Sequence, residues 1–170
     1  MKTLYDVIVI GGGPAGLTAA LYLARARYSV LVVEKEKFGG QITITADVVN
    51  YPGVMQGSGT EITETMRRQA ESFGAEFLLA EVTGLDMQCD LKTVHTSKGD
   101  VKAFGVLLAT GAHPRKVGFK GEEEFKGRGV AYCATCDGEF FTGLDIFVVG
   151  GGFAAAEEAV FLTRYARSVT

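Results

Sequence analysis

Apolar residues in this chain fall into two alternating rhythms, short unbroken runs and runs spaced at intervals of three and four. Asp6-Val7-Ile8-Val9-Ile10 is a β-branched run behind a single acid, the pattern of a strand buried on both faces in a parallel sheet. Over residues 17–27 the spacing becomes helical, with Leu17, Ala20, Leu21 and Ala24 on one face. Residues 29–33 return to an unbroken run that ends at Glu34. These segments form one strand–helix–strand unit, with Gly11-Gly12-Gly13-Pro14-Ala15-Gly16 at its first bend.

Residues 39–59 then read as loop, carrying Gly39-Gly40-Gln41, Asn50-Tyr51-Pro52-Gly53 and Gly57-Ser58-Gly59. Thr60 is the expected N-cap of a helix over 61–73. Short runs at 76–82, 84–88, 92–97 and 101–108 have no helical segment between them, which predicts a small antiparallel insertion ending on a buried strand. Cys89 reads as an inert strand residue. A linker rich in glycine and charge follows His113-Pro114, and Glu122-Glu123-Glu124 within it reads as a solvated run of charge. Residues 145–149 form another buried apolar run, leading through Gly150-Gly151-Gly152 into a helix to about Ala166 and the start of a strand at Ser168.

Laying Asp6 over Asp145 superimposes Gly11–Gly13 on Gly150–Gly152, Leu23 on Leu162, Arg25 on Arg164 and Ser29-Val30 on Ser168-Val169. This internal repeat predicts two nucleotide folds in one chain. The expected class is α/β: a Rossmann-like domain over 1–116 with the antiparallel insertion, then an incomplete second one over 117–170. The second copy stops at the start of its second strand; with the segments that would complete each of the two folds missing, the apolar faces at 6–10 and 145–149 are expected to lack part of their cover.

The glycine turns carry a specific chemistry. In G-x-G-x-x-G, Gly11 makes the tight turn, Gly13 admits a pyrophosphate to the backbone, and Gly16 lets helix and strand pack closely. The helix N-terminus offers amide donors and the positive end of its dipole. Glu34 stands where a carboxylate accepts from ribose hydroxyls. Between the two turns lies Tyr132-Cys133-Ala134-Thr135-Cys136-Asp137, a C-x-x-C that is either a redox pair or half of a zinc site. Zinc would need two more ligands from Cys89, His95 and His113, none in paired spacing.

Composition narrows the classes. A net charge of −3 over 170 residues gives no reason to expect nucleic acid or an anionic membrane as partner. The longest N-terminal apolar run is too short for a signal peptide or a membrane span. Three cysteines do not make a secreted disulfide framework. The cytoplasm is therefore the expected compartment, where a C-x-x-C is catalytic or metal-binding more often than structural.

Taken in order, Gly11-x-Gly13-x-x-Gly16, Glu34, Gly39-Gly40-Gln41, Asn50-x-Pro52-Gly53, Ala109-Thr110-Gly111, Cys133-Ala-Thr-Cys136-Asp137 and Gly150-x-Gly152-x-x-Ala155 closely resemble the low-molecular-weight, bacterial-type thioredoxin reductases. The resemblance covers essentially the whole chain. It implies FAD held by Gly11, Gly12, Gly13, Pro14, Ala15, Gly16, the stretch Glu34-Lys35 to Gly39-Gly40-Gln41, Asn50, Val82 and Ala109-Thr110-Gly111. It implies NADPH (or NADH) at Gly150, Gly152 and Ala155. Cys136 would face the flavin, Cys133 would exchange with the partner, and Asp137 would handle the proton. Thioredoxin or a thioredoxin-like protein is the implied partner, and a homodimer the implied assembly.

Two departures qualify that likeness. The family's chains return after the second nucleotide domain to complete the first, and that return is not in this sequence. The family also carries Asn or Asp, then Ser or Thr, after the second glycine triplet, where this chain has Phe153-Ala154. The loss of polar groups there favours ferredoxin or NADH as electron source. The third reading is a non-catalytic FAD-binding fragment.

Overall fold

The computed structural model describes residues 2–170. It divides into two compact units, one ending at His113 and the other running from Pro114. Among the described residues, no helix is long and apolar enough to cross a membrane.

In the first unit, β1 (Leu4–Ile10) lies at the centre of a six-stranded sheet. It pairs in parallel with β2 (Val30–Glu34) on one side and β6 (Gly99–Leu108) on the other, so that Val7 faces both Val30 and Gly105. Between β1 and β2 runs α1 (Pro14–Arg25), with Pro14 in its first turn, where a missing amide hydrogen costs nothing. The helix ends on paired reverse bonds, Arg27 to the Ala24 carbonyl and Tyr28 to the Leu23 carbonyl, with Arg27 in the left-handed region. α2 (Gly59–Ser72) begins two residues earlier than the pattern predicts. Ser58, not Thr60, is its N-cap: Ser58 Oγ accepts the Glu61 amide and the Glu61 carboxylate accepts the Ser58 amide, a reciprocal capping box.

The pleat sends alternate residues of the parallel strands to opposite faces. Val9, Val30 and Val32 pack with Ala20 and Ala24 of α1 and Ala70 of α2. Ile8, Ile10, Leu31 and Val33 pack on the other face with Val94, Val101 and Ala103 of the antiparallel strands. The expected gap in cover over residues 6–10 is thus absent: Ile8 and Val9 are fully buried.

The strand predicted over 76–82 is in fact two. β3 (Glu76–Leu79) pairs in parallel with β2, whereas β4 (Val82–Asp86) pairs antiparallel with β5 (Lys92–Thr96). Ala80 closes the first ladder on the Glu34 carbonyl, and the Glu81 carbonyl opens the second by accepting the Ser97 amide. β3 and β4 lie at opposite ends of the order β3-β2-β1-β6-β5-β4. A flat sheet would separate them by about 24 Å. Three Cα steps reach at most about 11 Å. The antiparallel ladder therefore folds back over the parallel one. β6 makes this possible by serving both ladders, antiparallel to β5 at its start and parallel to β1 along its remainder. Cys89 is in the turn between β4 and β5 rather than in a strand, and it is exposed.

The second unit holds a short helix, α3 (Ala134–Asp137), and one more strand–helix–strand unit: β7 (Asp145–Ile146), α4 (Phe153–Leu162) and β8 (Ser168–Val169). The repeat read from the sequence is also a repeat of bonds. Asp6 accepts from the Ser29 hydroxyl at 2.7 Å, and its counterpart Asp145 accepts from the Ser168 hydroxyl at 2.6 Å. β7 is shorter and barer than its apolar run suggests. It pairs only with β8, and Phe147 and Val149 are 74% and 59% exposed. α4 stops at Leu162 rather than near Ala166, because Gly143 donates to the Tyr165 carbonyl and Arg167 to the Leu144 carbonyl, drawing the chain into β8.

Candidate functional site

Most of the first-unit residues singled out by sequence, Gly11 to Gly16, Glu34, Gly39-Gly40 and Ala109, converge at the C-terminal ends of β1, β2 and β6. Gly11 turns the chain in the left-handed region (φ +109°), and a Cβ there would overlap the Ala109 carbonyl. Ala109 itself donates to the Ile10 carbonyl at 2.8 Å, so Ala109-Thr110-Gly111 leaves the sheet beside the glycine turn. Gly16 abuts the Gly11 carbonyl so closely that a Cβ would collide with it. Gly39 donates to the Gly12 carbonyl at 2.8 Å, and Gly40 packs against Gly13. Glu34 accepts the Gly12 amide on one oxygen and the Lys35 amide on the other, both at 2.8 Å. Gln41 and Asn50 are exposed in the loop beyond, and Val82, half-buried, packs against the core of the first unit.

The turn can hold a diphosphate. Gly13 caps α1 without a side chain, so the amides of the first helical turn keep their donors for a ligand. Close approach of Gly13 and Gly40 leaves backbone lining the cradle between them. Phe38 completes it from outside the motif. Its ring stands where a Gly12 Cβ would be, and Arg67 of α2 stacks over the rings of Phe38 and Phe77 at 4.9 and 5.2 Å.

In the second unit, Cys133 and Cys136 form a disulfide with Cα atoms 5.3 Å apart. Cys133 is the N-cap of α3 and its carbonyl accepts the Asp137 amide at 3.0 Å, so one helical turn sets the spacing of the pair. Cys136 is exposed, and Asp137 is half-buried. Burial pushes the Asp137 carboxyl above its ordinary value, favouring the protonated form. Cys133 and Asp137 line a cleft of about 890 Å³ together with Gly152 and Ala155 of the second glycine turn and with Arg115 and Lys116.

That second turn is looser than the first. Gly150 again has positive φ, but the position equivalent to Gly16 is Ala155, whose Cβ fits against it. Gly151 and Gly152 have open space around them, and Phe153 is 92% exposed.

Glu122 departs from the solvated run of charge expected over residues 122–124. Far from being solvated, it is 4% exposed. It accepts the amides of Val117 at 3.0 Å and Gly118 at 2.6 Å and the hydroxyl of Tyr132 at 2.9 Å. Those bonds, the Val117 amide foremost, hold its carboxyl below the usual range. Within a run of three acids nothing marks the first as buried, except its place after the turn glycines Gly118 and Gly121.

The chain matches the pyridine nucleotide-disulphide oxidoreductase family over residues 5–170. It is 48% identical over 171 residues to a thioredoxin reductase of Peptoclostridium acidaminophilum, covering all of this chain and 54% of that protein. It is 51% identical over 171 residues to a bifunctional thioredoxin reductase/thioredoxin of Mycobacterium leprae, covering 99% of this chain and 37% of that one. The thioredoxin reductase of Streptococcus pyogenes superimposes with a TM-score of 0.94 at 44% identity, over 99% of this chain and 55% of that structure. The chain thus spans about half the length of relatives such as the first.

Proposed function

The chain belongs to the pyridine nucleotide-disulphide oxidoreductase family, and from that premise we propose that it works within a flavin-dependent disulfide reductase whose partner is thioredoxin or a thioredoxin-like protein. The observation that carries this reading is the Cys133–Cys136 disulfide, held by one helical turn beside a half-buried acid, in a chain with two glycine turns that each open a helix. On this reading residues 1–116 are the flavin domain and residues 117–170 open the nicotinamide domain.

FAD, when bound, supplies a two-electron carrier between nicotinamide and disulfide. The chain's own residues do the rest. Amides of Gly13, Ala15 and Gly16 bind the pyrophosphate, and Glu34 orients the ribose while fixing the turn through Gly12. NADPH is assigned to Gly150, Gly152 and Ala155 in the same manner. Reduction breaks the Cys133–Cys136 bond with two electrons and two protons, one proton passing through the Asp137 carboxyl. The Cys133 thiolate then attacks one sulfur of the partner disulfide, and Cys136 displaces the reduced partner and restores the bond.

One feature favours an electron donor other than NADPH. Exposed Phe153 and Ala154 put no polar side chain at the start of α4. Reconstitution with FAD followed by visible absorption tests the flavin assignment, which no uptake would overturn. Anaerobic bleaching by NADPH, NADH or reduced ferredoxin then separates the donors.

A further inference from the structure

Among the described residues, Glu122 is the sole charged side chain that is buried. A carboxylate taken out of water must be repaid by donors, and here the donors come from two places far apart along the chain. Val117 and Gly118 supply backbone amides, and Tyr132, the residue before Cys133, supplies its hydroxyl. The segment between also carries backbone bonds of its own. Phe125 donates to the Gly121 carbonyl, Val130 to the Phe125 carbonyl and Gly127 to the Val130 carbonyl, closing the loop through its own backbone. The bonds of Glu122 instead gather the two ends of that loop, one of which is the redox segment.

We propose that Glu122 is a positioning residue for the redox pair: by tying the turn at Val117-Gly118 to Tyr132, it holds Cys133 where it closes on Cys136 and so lowers the reduction potential of that disulfide. The inference rests on the redox reading of the pair given above. A dithiol already ordered by its neighbours loses less freedom on closing, so the disulfide is favoured. Cutting the tie loosens Cys133 and moves the equilibrium toward the dithiol.

Tyr132→Phe isolates the effect, because Glu122 keeps its two backbone donors while the link to the redox segment is lost. Glu122→Gln removes the charge that all three donors satisfy. The 170-residue chain and both variants are equilibrated in buffers of dithiothreitol and its oxidised form, alkylated, and counted for free thiols by mass spectrometry. A hydrogen bond to a buried carboxylate corresponds to roughly a ten-fold effect or more when fully expressed. We expect Tyr132→Phe to reach half-reduction at an about five-fold lower dithiol ratio, and Glu122→Gln to shift at least as far. Midpoints within about two-fold of the parent chain for variants with unchanged circular dichroism would overturn the proposal. If Glu122→Gln does not fold, Tyr132→Phe decides alone. The titration needs neither flavin nor nicotinamide, so failure to take up FAD would sink the proposed function and leave this measurement standing. A parent chain whose pair never forms a disulfide would sink both.

Discussion

The Gly12 amide donates to the Glu34 carboxylate at 2.8 Å, across the bend that joins two parallel strands. One side chain therefore fixes the turn, and on the proposed reading its Oε2, which accepts that amide, keeps a lone pair for a ribose hydroxyl, whereas Oε1 already accepts the Lys35 and Glu36 amides. Glu34→Gln should weaken FAD binding by about 10- to 100-fold, the worth of a charge-assisted hydrogen bond. Because the turn is loosened as well, the variant should also lose thermal stability without flavin. Fluorescence titration with FAD and a melting curve of the free chain read the two effects separately. Unchanged affinity would remove Glu34 from the site.

The first unit was legible because its signals were local and periodic. The apolar run at 6–10, the helical spacing after Leu17 and the acid at Glu34 each state their place in a strand–helix–strand unit. What escaped was set by distant partners. Nothing near Ala80 says that β3 and β4 belong to different ladders; that follows from pairing with β2 and β5. Nothing in Glu122-Glu123-Glu124 says which acid turns inward, because its donors arrive from Val117, Gly118 and Tyr132. The run at 145–149 has the composition of a core strand but only β8 beside it, so Phe147 stays exposed.

Gly16 and Ala155 occupy equivalent places in the two glycine turns, yet only the first has no room for a side chain. Gly16→Ala should cost about 1–3 kcal/mol through overpacking against the Gly11 carbonyl. Ala155→Gly removes a tolerated methyl from a helix and should cost no more than about 1 kcal/mol. Urea unfolding of both variants checks the asymmetry. Equal losses would mean that the two turns are built alike.

The three cysteines should report in two classes. Cys89 is exposed and free, whereas Cys133 and Cys136 are joined. Alkylating the folded, oxidised chain should add one label, at Cys89 alone. Treatment with dithiothreitol before labelling should add the other two, at Cys133 and Cys136. Three labels before reduction, or stoichiometric zinc bound to the pair, would contradict the disulfide.

Asp137 gives a pH dependence whose sign can be worked out. Burial raises its folded-state pKa above that of the unfolded chain, so the native state favours the protonated form. Its contribution to stability is full below the unfolded value and is lost as pH rises through the folded one. Asp6, Glu61, Glu122 and Asp145 have lowered values and act in the opposite sense, losing stability as pH falls. A single profile mixes these effects, but the difference between the parent chain and Asp137→Asn isolates the one residue. The amide is neutral at every pH, so the variant should gain relative to the parent as pH is raised from about 4 to 7 across the ordinary Asp range. Urea midpoints at intervals over that range provide the comparison. The same substitution removes an acid beside the Cys133–Cys136 disulfide, and general acids contribute about 10²-fold or more to proton transfer. Reduction of the disulfide by dithiothreitol should therefore slow in the variant, most at the acidic end, where the parent's carboxyl is protonated. Parallel stability profiles with an unchanged reduction rate would leave Asp137 as a turn residue beside Gly138 and nothing more.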